Sequence, residues 1–182
     1  QIAAVGGKVM VINCRENWLT QMQTIKYFFG YEFLKSLERS FDTVMCLSGC
    51  LTAYRRSVLI ELEETLKNRN LFGIPIKYGE DRFLTRQVVK AGYKTRLDLE
   101  AVCYTKVPTE LATYFSQQLR WRRSNLVDLI GALSHVSSIQ PLVGIHYLCL
   151  QTLTLIYPLV LWHEILSGRF EEVYIIHFGV LS

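Results

Sequence analysis

Gly79-Glu80-Asp81-Arg82 marks the point at which a turn gives way to a predicted helix. Apolar side chains follow at helical spacing as far as Gly92, which is a good C-terminal stop. Adjacent acids at a helix start commonly do no more than complement the helix dipole. A carboxylate there could also act as general base on a hydroxyl, with Arg82 holding Asp81 ionised. The stretch alone leaves both interpretations open.

Strand-like and helix-like segments alternate on both sides of this stretch. Residues 2–5 and 8–12 flank Gly6-Gly7 and predict one kinked strand or two short ones. Further strands are predicted at 43–47, 51–54, 95–99 and 101–107, and further helices at 18–37, 58–68 and 109–135. The alternation predicts an α/β fold with a mixed or parallel sheet. The first helix is expected to be amphipathic, with Trp18, Met22, Ile25, Phe29 and Phe33 on its apolar side.

Residues 141–163 contain no Lys, Arg, Asp or Glu. A membrane-spanning helix needs about 20 mainly apolar residues, so this run predicts a transmembrane helix. Arg120, Arg122 and Arg123 precede it, which predicts that residues 1–140 are cytoplasmic. Residues 171–182 are expected to begin a second span, and the chain is expected to be a segment of a longer protein. The alternative is a buried core helix of a soluble domain.

The predicted helix at 109–135 carries two different faces. Leu111, Phe115, Leu119 and Leu126 form an apolar stripe, and the arginines crowd the polar side. This pattern suits a helix that lies on the cytoplasmic surface of a bilayer, although a solvated amphipathic helix would show the same periodicity.

Gln117, Arg120 and Trp121 are spaced i, i+3 and i+4 and therefore share one side of this helix. An indole can stack on a sugar ring, and a guanidinium can bind a diphosphate. Packing and solvation are the commoner explanation of such a trio. Ser48-Gly49 interrupts two apolar runs, where small residues could let a ligand approach the backbone or simply end a strand.

Several functions find no support in the composition. The chain has 182 residues, enough for about one domain. Its net charge of +4 is too modest to indicate nucleic acid. The five cysteines and four histidines show no metal-ligand spacing, and scattered cysteines are typical of reduced thiols in a cytosolic domain.

The order of the motifs is more specific than any one of them. Cys46-Leu47-Ser48-Gly49-Cys50-Leu51-Thr52-Ala53-Tyr54-Arg55 comes first, Gly79-Glu80-Asp81-Arg82-Phe83-Leu84-Thr85 second and Gln117-Gln118-Leu119-Arg120-Trp121 third, before the apolar run. Together they resemble the processive, membrane-integrated family 2 glycosyltransferases, in particular the hyaluronan synthase and chitin synthase branch. The resemblance extends from residue 1 to about residue 165.

This resemblance implies a partial GT-A catalytic domain over residues 1–108, an interfacial helix over 109–135 and transmembrane helices from 141–163 onward, in an integral protein of the plasma membrane. It implies inverting transfer of N-acetylglucosamine, glucuronate or both from a UDP-sugar to a growing polysaccharide. The site residues it implies are Asp81 as general base with Glu80 beside it, Trp121, Ser48 and Gly49 at the acceptor, and Gln117 and Arg120 at the donor diphosphate. Mg²⁺ or Mn²⁺ would neutralise the leaving UDP, with ligands expected upstream of residue 1.

Two features depart from the family pattern. Gln118 stands where cellulose synthases carry an Arg, and no Asp-x-Asp metal motif occurs in the chain. The isolated segment is therefore expected to be inactive. Two other functions stay open: a membrane-anchored pseudoenzyme or scaffold, and a basic membrane-surface module that binds anionic lipid or RNA through Arg120 to Arg123.

Overall fold

A computed structural model describes residues 1–71, 73–76, 78–133, 139–169 and 171. The chain divides into two compact units, Gln1–Gly144 and Ile145–Ser182, and each is described by itself. Apart from Glu171, the predicted second span at 171–182 lies outside the described residues.

The elements follow one another in alternation, as the sequence predicts. In chain order they are β1 (Ile2–Val11), α1 (Trp18–Phe29), a π-helical turn (Gly30–Leu34), α2 (Ser36–Ser40), β2 (Thr52–Tyr54), α3 (Arg56–Glu61), α4 (Glu63–Lys67), β3 (Asn70–Leu71), β4 (Ile74–Pro75), α5 (Glu80–Lys90), β5 (Lys94–Thr105), α6 (Leu111–Leu133) and α7 (Pro141–Leu166).

A mixed three-stranded sheet, in the order β2-β1-β5, forms the centre of the first unit. β1 pairs antiparallel with β2 and parallel with β5, which confirms the predicted mixed sheet. The core around it consists of small and branched apolar side chains from both strands and helices, among them Ala4, Val9, Leu47, Val88 and Leu97. α5 packs against β1 and β5, and Oγ1 of its Thr85 lies 3.4 Å from the hydroxyl of Tyr54 in β2.

One irregularity settles how many strands flank Gly6-Gly7. β1 is a single strand, but its register with β5 jumps from Gly7 opposite Asp98 to Lys8 opposite Val102. β5 is likewise one strand with a bulge, where two strands were predicted. Gly7 is required at this point, because an added Cβ would lie 2.4 Å from the carbonyl oxygen of Ala101.

The strand predicted at 43–47 is wrong. Only Thr43 makes a bridge, parallel to Thr95, although Val44, Met45 and Leu47 are buried. The amide of Met45 donates to Glu38 Oε2 at 3.0 Å, and that of Leu47 donates to Thr85 Oγ1 at 3.2 Å. The amide of Val44 still donates to the Thr95 carbonyl of β5 at 3.3 Å, so this buried backbone is satisfied partly by β5 and partly by side chains.

The helix predicted at 18–37 is divided by the π-helical turn, and the helix predicted at 58–68 is broken at Leu62. The apolar stripe of α1 points away from the core, and Trp18 is 64% exposed. Thr20 and Gln23 occupy the buried side instead, where Gln23 Nε2 donates to the carbonyls of Leu19 and Pro108.

α6 and α7 confirm the two long predicted helices as helices. α6 buries Ser124, Asp128 and Ala132, and it leaves its apolar stripe exposed. Within the described residues, α7 is the one helix long and apolar enough to cross a membrane, judged by length and composition alone.

Candidate active site

The start of α5 holds the two acids on a backbone that only glycine can provide. Gly79 precedes the helix in the left-handed conformation, with φ of 67°. An added Cβ there would lie 1.8 Å from Ser124 Oγ of α6. Glu80 and Asp81 occupy the first turn, where carboxylates complement the helix dipole.

The Ser48-Gly49 bend lies directly beside Asp81, although 32 residues separate Gly49 from it in the chain. The amide of Gly49 approaches Asp81 Oδ2 at 3.4 Å, and the other carboxylate oxygen accepts a 2.8 Å bond from the amide of Arg82. A Cβ on Gly49 would lie 3.7 Å from that of Asp81. The structure therefore brings together two of the three sequence motifs.

Thr85 connects Asp81 to the segment that leads into the Ser48-Gly49 bend. It is fully buried, one turn after Asp81, and its Oγ1 donates to the Asp81 carbonyl at 2.7 Å. The same oxygen accepts from the amide of Leu47 and lies 3.4 Å from the hydroxyl of Tyr54. Sequence reasoning did not single out Thr85, although it stands inside the quoted Gly79–Thr85 motif.

Tyr31 supports the bend from the other side. It lies buried in the π-helical turn, with its hydroxyl near the side chain of Ser48. Burial raises the pKa of Tyr31 far above its usual value, so the hydroxyl stays protonated. Lys35 lies over the Tyr31 ring and donates to the Cys46 carbonyl at 2.8 Å. π-helical turns occur frequently at functional sites.

The third motif lies on α6. Gln117 and Trp121 are partly buried and Arg120 is exposed. The side-chain oxygen of Gln117 is buried and has no hydrogen-bond partner among the described residues. In the same part of the chain, no hydrogen bond or ion pair joins these three side chains to Asp81. The structure therefore places the motif on the helix next to α5, but not in direct contact with Asp81.

α1 contacts this motif through one lysine. Lys26 Nζ donates to Gln118 Oε1 at 2.6 Å and lies 5.9 Å from the centroid of the Trp121 ring. Partial desolvation, followed by the nearby charge of Arg122, lowers the pKa of Lys26. Gln118, where cellulose synthases carry an Arg, therefore receives a cation from elsewhere in the fold.

α5 and α6 are joined by a buried ion pair that sequence reasoning also missed. Arg86 Nε donates to Asp128 Oδ1 at 2.6 Å, and the two side chains are only 8% and 4% exposed. Gly131 of α6 faces the same guanidinium. This pair sets the position of the helix that carries Asp81 against the helix that carries Trp121.

Comparison with known proteins decides the family. The family described as "Glycosyltransferase like family 2" matches residues 1–124, which include all three motifs. The chain belongs to glycosyltransferase family 2. The resemblance to this family seen in the sequence is confirmed, and Asp81, the Ser48-Gly49 bend and Trp121 lie within the matched part.

Relatives of this family 2 chain include an N-acetylglucosaminyltransferase and hyaluronan synthases. An N-acetylglucosaminyltransferase of Mesorhizobium japonicum is 36% identical over 174 residues, covering 94% of this chain and 40% of the relative. Hyaluronan synthase 2 of Xenopus laevis is 32% identical over 123 residues, covering 68% of this chain and 22% of the relative. Human hyaluronan synthase 3 is 31% identical over 124 residues. The chain thus spans between about a fifth and two fifths of these relatives.

A divalent metal does not find a complete set of ligands in the described part of this family 2 chain. No group of three or more His, Cys, Asp or Glu side chains that could hold a metal ion occurs there. Glu80 and Asp81 are adjacent acids, and one oxygen of Asp81 is already bonded to the Arg82 amide. These residues alone do not fit a metal centre.

Proposed function

We propose that this chain carries the acceptor side of a processive, inverting glycosyltransferase that is bound to a membrane. In this proposal a UDP-sugar donates N-acetylglucosamine, glucuronate or both to a growing polysaccharide of the chitin or hyaluronan type. The contact between Asp81 and the Ser48-Gly49 bend carries the proposal. It places a carboxylate beside two residues with very small side chains, a hydrogen on Gly49 and a hydroxymethyl group on Ser48, so a substrate can come close to the carboxylate. The relatives named above support the class of sugar.

Asp81 is assigned the role of general base. The acceptor hydroxyl oxygen attacks the anomeric carbon of the donor sugar, and its proton passes to a carboxylate oxygen of Asp81. A glycosidic C–O bond forms, and the bond from the anomeric carbon to the diphosphate breaks, so UDP leaves with the electron pair. The Gly49 contact to Oδ2 is long, at 3.4 Å, which leaves that oxygen able to accept a stronger bond from a hydroxyl. Glu80 stands beside it and adds negative charge to the site.

Trp121 is assigned to the acceptor and Gln117 and Arg120 to the donor diphosphate. The indole is partly buried on the side of α6 that faces the domain, so one ring face can meet the apolar side of a sugar. The exposed Arg120 guanidinium can accept a diphosphate in bidentate fashion. The side-chain amide nitrogen of Gln117 can donate to a diphosphate oxygen, while its unpartnered side-chain oxygen can accept from a hydroxyl of the same bound nucleotide sugar.

The rest of the assignment concerns the setting of the site. We assign a partial GT-A fold to the sheet, an interfacial position at the cytoplasmic surface of the plasma membrane to α6, and a span to α7. The exposed apolar stripe of α6 and the uncharged length of α7 support these assignments. Mg²⁺ or Mn²⁺ is proposed as cofactor, since a divalent cation stabilises a leaving diphosphate. Its ligands are assigned to other parts of the full-length protein.

The test is turnover by the full-length protein in membranes with a panel of UDP-sugars, followed by digestion of the product with linkage-specific hydrolases. We expect polymer from UDP-N-acetylglucosamine, alone or with UDP-glucuronate. Asp81→Asn is expected to abolish polymer synthesis and to leave UDP-sugar binding intact. Asp98→Asn is the matched control, because Asp98 also accepts one backbone amide bond, from Glu100, but its side chain is exposed to solvent on β5.

Three results would contradict the proposal. Full polymer synthesis by Asp81→Asn would remove the base. Absence of polymer from the wild type with every UDP-sugar, with binding retained, would instead favour a pseudoenzyme or scaffold. Salt-sensitive binding to anionic vesicles without any turnover would favour the basic surface module.

A further inference from the structure

The buried ion pair between α5 and α6 is a poor device for stability. Arg86 and Asp128 are both almost completely removed from water, and their contact is 2.6 Å. Burying two charges costs desolvation energy that their attraction only partly returns, and apolar side chains of similar volume are often as stable or better. Its value at this place in the fold therefore lies in geometry.

Close contacts surround the pair where the two helices meet. A Cβ on Gly131 would lie between 2.7 and 2.9 Å from three atoms of the Arg86 guanidinium, and a Cβ on Gly79 would lie 1.8 Å from Ser124 Oγ. The guanidinium also packs over the Phe83 ring, with 5.2 Å to its centroid. Both glycines thus bring backbone against a polar group of the other helix, and the ion pair holds them there.

The pair connects the two halves of the proposed reaction. Asp81 lies five residues before Arg86 on α5, and Trp121 lies seven residues before Asp128 on α6. A helix rises about 1.5 Å per residue, so each functional side chain stands about 7 to 11 Å from the pair. A tilt of one helix against the other would change the distance from the carboxylate to a sugar held on the indole.

We propose that Arg86 and Asp128 are positioning residues, which hold the base on α5 in register with the acceptor sugar on α6. This inference rests on the proposed function. It predicts a specific defect. Water can reach Asp81 in any arrangement of the helices, whereas the hydroxyl of an acceptor bound on α6 can reach Asp81 only when the two helices are correctly placed. Loss of register should therefore slow transfer to the polymer more than it slows hydrolysis of the UDP-sugar.

The first test is the double substitution Arg86→Met with Asp128→Leu in the full-length protein, which removes both charges and leaves neither unpaired. We expect apparent Tm and donor KM to stay near the wild-type values and kcat for polymer synthesis to fall about tenfold or more, as small misplacements of reacting groups do. The ratio of UDP released to sugar incorporated should rise. A stable double variant with the wild-type kcat and ratio would overturn the inference.

Gly131→Ala provides a second test that leaves both charges in place. The added methyl group presses on the guanidinium, so the same rise in the ratio of hydrolysis to transfer is expected. Gly30→Ala is the matched control, because Gly30 is also helical and a Cβ there meets nothing within 4 Å. An unchanged ratio in Gly131→Ala would contradict the inference even if the double variant failed to fold.

These outcomes separate the two proposals. Wild-type protein that makes no polymer overturns the proposed function and this inference with it. If the wild-type protein makes polymer and the variants have the same ratio of hydrolysis to transfer as the wild type, only the assignment of Arg86 and Asp128 is overturned.

Discussion

Replacing Thr85 with valine tests whether the bend at Ser48-Gly49 must be held against α5. The substitution keeps shape and volume and removes only the hydroxyl. Thr85 Oγ1 accepts the 3.2 Å bond from the buried amide of Leu47 and donates the 2.7 Å bond to the carbonyl of Asp81. The carbonyl keeps its helical partner, but the Leu47 amide has no other acceptor in the described structure. The variant thus removes a hydrogen bond between the segment that leads into the Ser48-Gly49 bend and the helix that carries Asp81, the proposed base.

The magnitude follows from the orphaned amide. A buried donor left without a partner costs about 1–3 kcal/mol, so we expect a loss of about 2 kcal/mol in the free energy of unfolding. For a chain of this size that corresponds to a fall in apparent Tm of about 4–8 °C. Because the bend would no longer be fixed beside Asp81, we also expect kcat for polymer synthesis to fall about tenfold, as loss of alignment does.

Thr95→Val is the matched control. Thr95 is as fully buried as Thr85, but its hydroxyl donates only to the carbonyl of Val44, at 2.7 Å, away from the bend. Because this variant also leaves a buried backbone group, the Val44 carbonyl, without its side-chain partner, it should cost a similar amount, about 1–3 kcal/mol, with activity unchanged. The assay is UDP release and polymer yield by the full-length protein in membranes, with thermal unfolding measured in parallel. Equal activity of the two variants would refute the reasoning, whatever their stabilities.

Three further predictions follow from the same contacts. Trp121→Ala should shorten the polymer or stop its elongation with little change in apparent Tm, and unchanged yield and chain length would remove the stacking role. Gly79→Ala should lower both apparent Tm and kcat. Gly73 also has a positive φ but open space around it, so Gly73→Ala should cost only the backbone strain of about 1–2 kcal/mol. Equal effects of the two substitutions would show that the contact of Gly79 with α6 is unimportant. The Arg96 hydrogen bond lowers the pKa of Asp42, so the carboxylate contributes stability above its unfolded pKa of 3.8 that is lost as pH falls through the lower folded value. Unfolding measured between neutral and strongly acidic pH should therefore show a smaller acid-induced loss for Asp42→Asn than for the wild type, and identical profiles would exclude this contribution.

Periodicity predicted the order of the elements well, because the alternation of strands and helices is a local property of the chain. It failed at 43–47, where an apolar run of the right length and composition is not a strand. The amides of Met45 and Leu47 donate to side chains of Glu38 and Thr85, and a pattern of apolar residues contains no information about side chains that arrive from other elements. Only the fold shows that the pairing with β5 ends at Val44 and that side chains satisfy the rest of the run.

The apolar stripe of α1 illustrates the same limit in another form. Its helical period was predicted correctly, but a period does not say which side of the helix faces the core. Gln23 is buried because two backbone carbonyls accept its amide protons, and so the polar side can pack inward. Trp18 and its apolar neighbours are left on the surface.

Some contacts of the candidate site could likewise be predicted from the sequence, and others could not. The proximity of Asp81 to Ser48-Gly49 was implied by the order of the motifs and by the family resemblance, and the structure places them in contact. Arg86 and Asp128 carried no such signal, since single charged residues on amphipathic helices usually face solvent. Gly131, inside the last turn of α6, where glycine is less favourable than alanine, was the one local hint that something large approaches α6 at this point. A glycine of that kind indicates where another group comes close to a helix, but it does not identify that group. Here the group is the guanidinium of Arg86, which is paired with Asp128 one turn before Gly131, and this contact between residues 42 positions apart is seen only in the folded chain.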